Sequence, residues 1–280
     1  MSVEFLPLSE NMGAEVRGVD LSHPVDGETA EILNDAFIRH ILLLFRNQPF
    51  GDERSLLKSA AWLGSTAQIT MPGNKFGEDG ENIHLISNIR DETGMPIGDL
   101  GDSDLLYHHD NSFTDAPDKA TYLYAVELPS TGGKTQFSNC YLAYDSLPDQ
   151  LRKAIEGRRV LQVYDYNVNE RPSKDRLDEM PRAWQPSVVV HPVTGGKVLY
   201  VNPLNTALIE GYDEAESDAL LEALFPYVAR IDYELTWRIG DYIIFDNRCS
   251  AHARTEFPAD QRRLLKRGKV AGAPMIAAMA

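Results

Sequence analysis

Two histidines and one aspartate in this chain have the residue types and spacing to hold a single metal ion. His108 and Asp110 stand two apart in the segment Y-H-H-D-N-S-F of 107–113, and His252 lies far along the chain. If the three meet, they form a 2-His-1-carboxylate facial triad. That set covers one face of an iron(II) ion and leaves the other positions open for oxygen and substrate. On a strand, residues i and i+2 point to the same side, so His108 and Asp110 can share a metal while His109 faces away. H-x-D alone is a weak signal, because seven histidines give about half a match by accident.

The C-terminal context raises its weight. The stretch 237–270 reads W-R-I-G-D-Y-I-I-F-D-N-R-C-S-A-H-A-R-T-E-F-P-A-D-Q-R-R-L-L-K-R-G-K-V. Gly240 and Asp241 make a turn, 242–245 an apolar strand, and His252 follows Asp246-Asn247-Arg248. Beyond it, Arg263, Leu265 and Arg267 share one face if the chain continues as a strand. Two guanidinium groups on the metal's face suit an anionic co-substrate, because arginine grips a carboxylate with a planar fork.

These motifs resemble the taurine dioxygenase/dichlorophenoxyacetate dioxygenase family of iron(II)- and 2-oxoglutarate-dependent oxygenases. The resemblance runs through nearly the whole chain. It includes G-A-E-V-R-G-V-D-L of 13–21, I-L-L-L-F-R-N-Q of 41–48, the Y-H-H-D-N-S-F segment, and G-G-K-T-Q-F of 132–137. H-P-V-T-G-G-K-V-L-Y-V-N of 191–202 and the closing D-N-R…H…R-R…R complete the set. It implies a mainly β fold with flanking helices around a double-stranded β-helix, or jelly roll. It also implies that His108, Asp110 and His252 ligate Fe(II). Thr135 and Arg263 would hold the distal carboxylate of 2-oxoglutarate, and Arg267 would sit between co-substrate and prime substrate. The implied reaction uses O2 and 2-oxoglutarate as co-substrates and hydroxylates a small organic molecule, with release of succinate. A carboxylate at position 110 predicts hydroxylation or a related oxidation; a halogenase of this class leaves that position to a halide.

Arg267 points to an anionic substrate. Asp102 and Asp104, in G-D-L-G-D-S-D of 98–104, could receive an ammonium and make it a zwitterion, although that stretch also reads as a solvated turn. The sequence S-T-A-Q-I-T-M-P of 65–72 lacks the histidine pair that would help bind a sulfonate.

Composition sets the outer bounds. The 280 residues suffice for one domain spanning 1–280 with a sizeable core. A net charge of −15 argues against nucleic acid or an anionic membrane as partner, which makes the basic cluster at 262–267 a local exception. Two cysteines suit a reducing compartment. The first residues carry no basic segment followed by a long apolar run, and no apolar stretch reaches the roughly 18 residues of a membrane span. A cytoplasmic enzyme acting on small molecules is expected, with a homo-oligomer open.

The positioning elements follow from periodicity. Asp26 caps a helix over 28–40, a buried strand covers 41–45, and a second helix covers 53–63. Strands are expected at 84–89 and 121–128, and helices at 142–147 and 148–156, the latter stopped by Gly157. A hairpin joins 188–191 to 197–201, an amphipathic helix spans 215–228, and a last hairpin joins 231–237 to 242–245 through Gly240. The polar segments 71–80 and 164–184 read as lids or as plain surface.

Each of these residues also has a bland reading. A lone histidine is more often structural, Asp110 before Asn111 and Ser112 suits a turn, and a charge run is usually a solvated face. His109 is expected behind the ligands or partly exposed; His23, His40, His84 and His191 are expected to be structural. Asn247 is placed to orient the ligand region. Three other readings stay open: a jelly-roll protein that binds metal or a small acid without turnover, a zinc hydrolase, and a desaturase or epoxidase of the same oxygenase class.

Overall fold

The computed structural model describes residues 2–67, 83–165 and 171–279. Among these residues, seventeen strands and five α-helices are numbered in chain order. The larger sheet has eight strands in the order β1 (Glu4–Pro7), β2 (Ala14–Arg17), β3 (Leu42–Phe45), β15 (Tyr242–Asp246), β7 (Ala120–Glu127), β17 (Leu264–Val270), β4 (His84–Ser87) and β5 (Asp99–Leu100). The smaller has four: β14 (Tyr233–Leu235), β8 (Thr135–Asn139), β16 (Ser250–Arg254) and β6 (Leu105–His108). A three-stranded sheet of β10 (Arg182–Pro186), β9 (Arg159–Val163) and β13 (Thr206–Ile209), and the hairpin of β11 (Val188–Val190) and β12 (Lys197–Leu199), lie outside the main pair.

The central strands of the large sheet are apolar on both faces, because each face is covered. Leu42 and Leu44 of β3 and Ile243 and Phe245 of β15 join Phe137, Ala251 and Ala253 of the small sheet in one cluster. Their neighbours Leu43, Phe45, Tyr242 and Ile244 point the other way, onto Leu33 and Phe37 of helix α1 (Gly27–His40). The period of two thus sends alternate residues to the inter-sheet core and to the helix layer. The result is the expected jelly-roll core with flanking helices.

The helices start where the sequence says. Asp26 accepts from the backbone N–H of Thr29 at 2.7 Å, and helix α5 (Glu214–Val228) opens with a capping box between Asp213 and Glu216. Helix α2 (Glu53–Lys58) is shorter than expected; beyond it, Ser59, Ala61 and Leu63 bond back three residues instead of four, so the chain winds on in tight turns. Helices α3 (Cys140–Asp145) and α4 (Asp149–Ile155) match the two expected before Gly157.

One expectation is corrected. The segments 231–237 and 242–245 do not form a hairpin: β14 pairs with β8 in the small sheet, while β15 lies between β3 and β7 in the large one. All five residues of β15 are buried, so that strand needs a neighbour on each edge and both faces covered. Half-exposed β14 suits a sheet edge. The turn at Gly240, with φ of 83°, carries the chain across from one sheet to the other. Within 164–184, the described residues include a 3₁₀ turn (Lys174–Glu179) and the first residues of strand β10. The segment 71–80 lies outside the described residues. Among the described residues no helix is long and apolar enough to cross a membrane.

Candidate active site

Register brings the histidines together. Strands β16 and β6 are antiparallel neighbours with His252 directly opposite His108, and the two rings lie 4.1 Å apart between centroids. Asp110 follows just past the end of β6, on the same side as His108, with its Oδ1 3.8 Å from His108 Nε2. One ligand atom from each of the three lies within 4.8 Å of the others, and all three residues are buried. His109 faces away, as the period requires, but it is wholly buried and not partly exposed. Its ring contacts Asn202 and Cys140 and packs on Tyr200. Asn111, with φ of 55°, then turns the chain out of the site, a conformation asparagine tolerates.

The donors are prepared for a cation. His108 Nδ1 lies 2.9 Å from the carbonyl of Leu106, so it carries the proton and Nε2 keeps its lone pair. His252 Nδ1 is buried with no hydrogen-bond partner. Burial pushes both imidazoles below their ordinary range, which keeps them neutral. Burial alone would raise the Asp110 carboxyl, but the positive charge of Arg267 first, and that of Lys269, hold it far below the usual carboxylate range. Asp110 Oδ2 accepts from Thr121 at 2.5 Å, and Thr121 accepts from Asn247 at 2.9 Å. Two neutral imidazoles and one fixed carboxylate suit Fe(II).

A second buried group, His191, Asp246 and Cys249, also comes within 4.8 Å. It does not suit a metal. Asp246 accepts three hydrogen bonds from Arg248, through its backbone N–H, Nε and Nη2, and a fourth from His191 Nε2, while His191 Nδ1 accepts from the backbone of Thr194. Its lone pairs are already used, and its role is to fix the end of β15.

Beside the triad, a cavity is lined by His108, His252, Thr135, Arg254, Arg263 and Arg267 among others. Arg263 is 2% exposed. Its Nη2 donates to the carbonyl of Gly133 at 3.3 Å, and its Nε is buried with no partner. Burial first, then the charge of Arg254, push its guanidinium down to about 9. Among the described residues no carboxylate forms an ion pair with Arg263, so burial of its charge is left for an incoming anion to offset. Gly133, with φ of 61°, lets the chain pass close: a Cβ there would sit 3.1 Å from Arg263 Nε. Thr135 Oγ1 accepts from the indole N–H of Trp237 at 3.0 Å. The hydroxyl proton is then free to be donated to an acceptor in the cavity.

Sequence reasoning missed several contributors. Arg254, two residues after His252 and so on the same face of β16, donates to the carbonyls of Leu100 and Ser103 and leaves Nη1 buried and unpartnered; the H-x-R spacing could have revealed it. The charges of Asp102 and Asp104 bear on Arg254 and partly offset the effect of its burial. Trp237, Thr121 and His84 carried no signal of their own. The basic run 262–267 divides by strand period. Arg262 pairs with Glu127 and Lys266 with Glu53, whereas Arg267 turns inward and donates to Asp110 Oδ1 at 3.3 Å.

Comparison with known proteins agrees with this architecture. Residues 4–268 match the family model described as taurine catabolism dioxygenase TauD, TfdA family. Pentalenolactone F synthase of Streptomyces avermitilis is 33% identical, over 91% of this chain and 90% of its own. An alpha-ketoglutarate-dependent sulfate ester dioxygenase of Pseudomonas putida is 29% identical, over 97% of this chain and 90% of its own. Among solved structures, a taurine dioxygenase from Burkholderia xenovorans superposes with a TM-score of 0.81 at 28% identity, covering 99% of this chain and 93% of that one. AAD-2 in complex with Mn(II) and N-oxalylglycine superposes with a TM-score of 0.80 at 25% identity, covering 99% and 100%. A family match over nearly the whole length, on a jelly roll carrying a buried 2-His-1-carboxylate cluster, shows that the chain belongs to the TauD/TfdA dioxygenase family.

Proposed function

We propose that His108, Asp110 and His252 hold the iron of an Fe(II)- and 2-oxoglutarate-dependent dioxygenase, and that Arg263 and Thr135 hold the distal carboxylate of 2-oxoglutarate. The enzyme class follows from family membership; the roles of individual residues are supported by geometry. The observation that carries them is one cavity joining two imidazoles and a carboxylate to a buried arginine with no ion-pair partner among the described residues. Bound iron and 2-oxoglutarate supply the oxidation, in which O2 converts 2-oxoglutarate to succinate and CO2 while a C–H bond becomes C–OH.

The chain's own groups bind, orient and exclude. Arg263 supplies the charge for the far carboxylate and Thr135 a hydroxyl proton. Thr121 and Arg267 hold the two oxygens of Asp110. Leu123, Leu265, Ile86 and Leu105 give the cavity an apolar wall that sheds water.

The prime substrate is a small organic anion, with Arg267 at the junction between it and the co-substrate. Relatives named for sulfate esters and for 2,4-dichlorophenoxyacetate fit this class. A zwitterion, its ammonium met by Asp102 or Asp104, belongs to the same reading. The same proposal includes a single domain over 1–280, a cytoplasmic location, which suits two free buried cysteines, and no nucleic-acid partner, which suits the charge of −15. A homo-oligomer remains compatible.

The test is O2-dependent succinate release from 2-oxoglutarate across a panel of small carboxylates, sulfonates and alkyl sulfates. Stimulation by at least one anion, abolished in Asp110→Ala, is expected. Full activity in Asp110→Ala would sink the ligand assignment.

A further inference from the structure

Arg267 is held by a partner that lies across the sheet. Strands β17 and β4 are antiparallel neighbours, and Arg267 stands directly opposite His84. Their side chains therefore share the inner face of the large sheet. His84 is 3% exposed. Its Nδ1 lies 2.5 Å from Arg267 Nη2, and its Nε2 lies 2.6 Å from Asp99 Oδ2. Since a guanidinium can only donate, His84 Nδ1 is the acceptor and the ring proton sits on Nε2, pointing at Asp99. Burial, and then the charge of Arg267, hold this imidazole down to about 4, against the opposing pull of Asp99, so the neutral form is the one present. The other end nitrogen of Arg267, Nη1, reaches Asp110 Oδ1. The four residues form one chain: Asp99, His84, Arg267, Asp110.

We propose that His84 is a positioning residue for the metal centre, holding Arg267 so that its guanidinium fixes the orientation of Asp110. The inference rests on the reading of Asp110 as an iron ligand. A free arginine has many rotamers, and only a few would leave Nη1 on Oδ1. An acceptor at the position of His84 Nδ1 selects among them, and Asp99 selects the tautomer that provides it. Thr121 fixes Oδ2 from the opposite side, so the carboxylate is gripped at both oxygens. Outer groups that orient a metal ligand commonly change metal affinity by roughly 10- to 100-fold when removed.

The experiment uses the full chain, with Co(II) as the metal probe, titrated anaerobically and followed by visible absorption. Two variants are compared with the wild type. His84→Phe keeps a ring but loses the acceptor. His84→Asn places an amide oxygen where Nδ1 stands. The expected result is Co(II) affinity weakened roughly 10-fold or more in His84→Phe, with an altered absorption envelope, and recovery of both in His84→Asn. Melting temperatures identify folded variants. In parallel, 2-oxoglutarate binding to the iron form, which depends on Arg263 at the far end of the cavity, should weaken less than metal binding.

Unchanged Co(II) affinity and spectrum in folded His84→Phe would overturn the inference. So would equal impairment in both variants, which marks His84 as a packing residue. Wild-type protein that binds Co(II) but not 2-oxoglutarate would overturn the proposed function, while the comparison of variants still decides the role of His84. Wild-type protein that binds no Co(II) would overturn both.

Discussion

The hydroxyl of Thr135 has its polarity set by a neighbour. The indole of Trp237 can only donate, so Thr135 accepts from it and offers its own proton to the cavity. Thr135→Val should therefore weaken 2-oxoglutarate binding about 10-fold, the value of a hydrogen bond to a charged group. Trp237→Phe, which frees the hydroxyl to turn away, should weaken it about 2- to 5-fold. Thr135→Ser should bind nearly as wild type, and equilibrium titration of the iron form measures all three. An unaffected Thr135→Val variant would remove Thr135 from the site. At this scale the sequence was legible where chemistry is local. His108 and Asp110 are two apart on one strand, and the D-N-R…H…R-R…R string fixes the type and order of the remaining groups. Residues whose part depends on a partner across a sheet were not legible. Nothing near His84 says that Arg267 will face it, and Trp237 looks like any strand aromatic until the chain crosses from β14 to β15.

Among the elements, the register of β6 against β16 does most of the positioning, because a slip by one residue would turn His252 to the opposite face. That register ends at the turn Asp246-Asn247-Arg248, where Asp246 is clamped by Arg248 and His191. Burial would raise the Asp246 carboxyl, yet its hydrogen bonds to Arg248 and His191 hold it below the usual 3.8. A carboxyl with a depressed folded value gives stability that is present above the unfolded value and is lost as pH falls through the folded one. Asp246→Asn should thus cost roughly 3–5 kcal/mol near neutral pH, the usual cost of breaking a buried pair. The gap to wild type should narrow below about pH 4, as seen in melting temperatures from pH 3 to 8. A gap that widened in acid would contradict this role. The apolar run of β15 announced a buried strand, but not which sheet would take it. A continuous hydrophobic run states that both faces are covered and is silent on its neighbours. The expected hairpin through Gly240 failed for that reason, while the helices, whose caps lie in their own sequence, began where expected.

Across the whole molecule, a strongly acidic chain keeps three arginines, Arg254, Arg263 and Arg267, around one cavity. The self-repulsion of Arg254 and Arg263 and the burial of Arg263 are costs to the empty protein, relieved when an anion enters. Arg263→Leu should leave the melting temperature of the ligand-free protein unchanged or higher, since a buried charge with no ion-pair partner among the described residues is replaced by apolar volume. The same variant should lose the rise in melting temperature that 2-oxoglutarate gives the metal-loaded wild type. A markedly destabilised Arg263→Leu protein would mean that Arg263 serves the fold.

The central claim is that the triad and Arg263 form one chelating site for iron and 2-oxoglutarate. The most direct measurement is anaerobic addition of both to metal-free protein while watching for a visible metal-to-ligand charge-transfer band. The band is expected in wild type and absent in His108→Ala and Arg263→Ala. Iron-loaded, folded wild-type protein without it would contradict the claim.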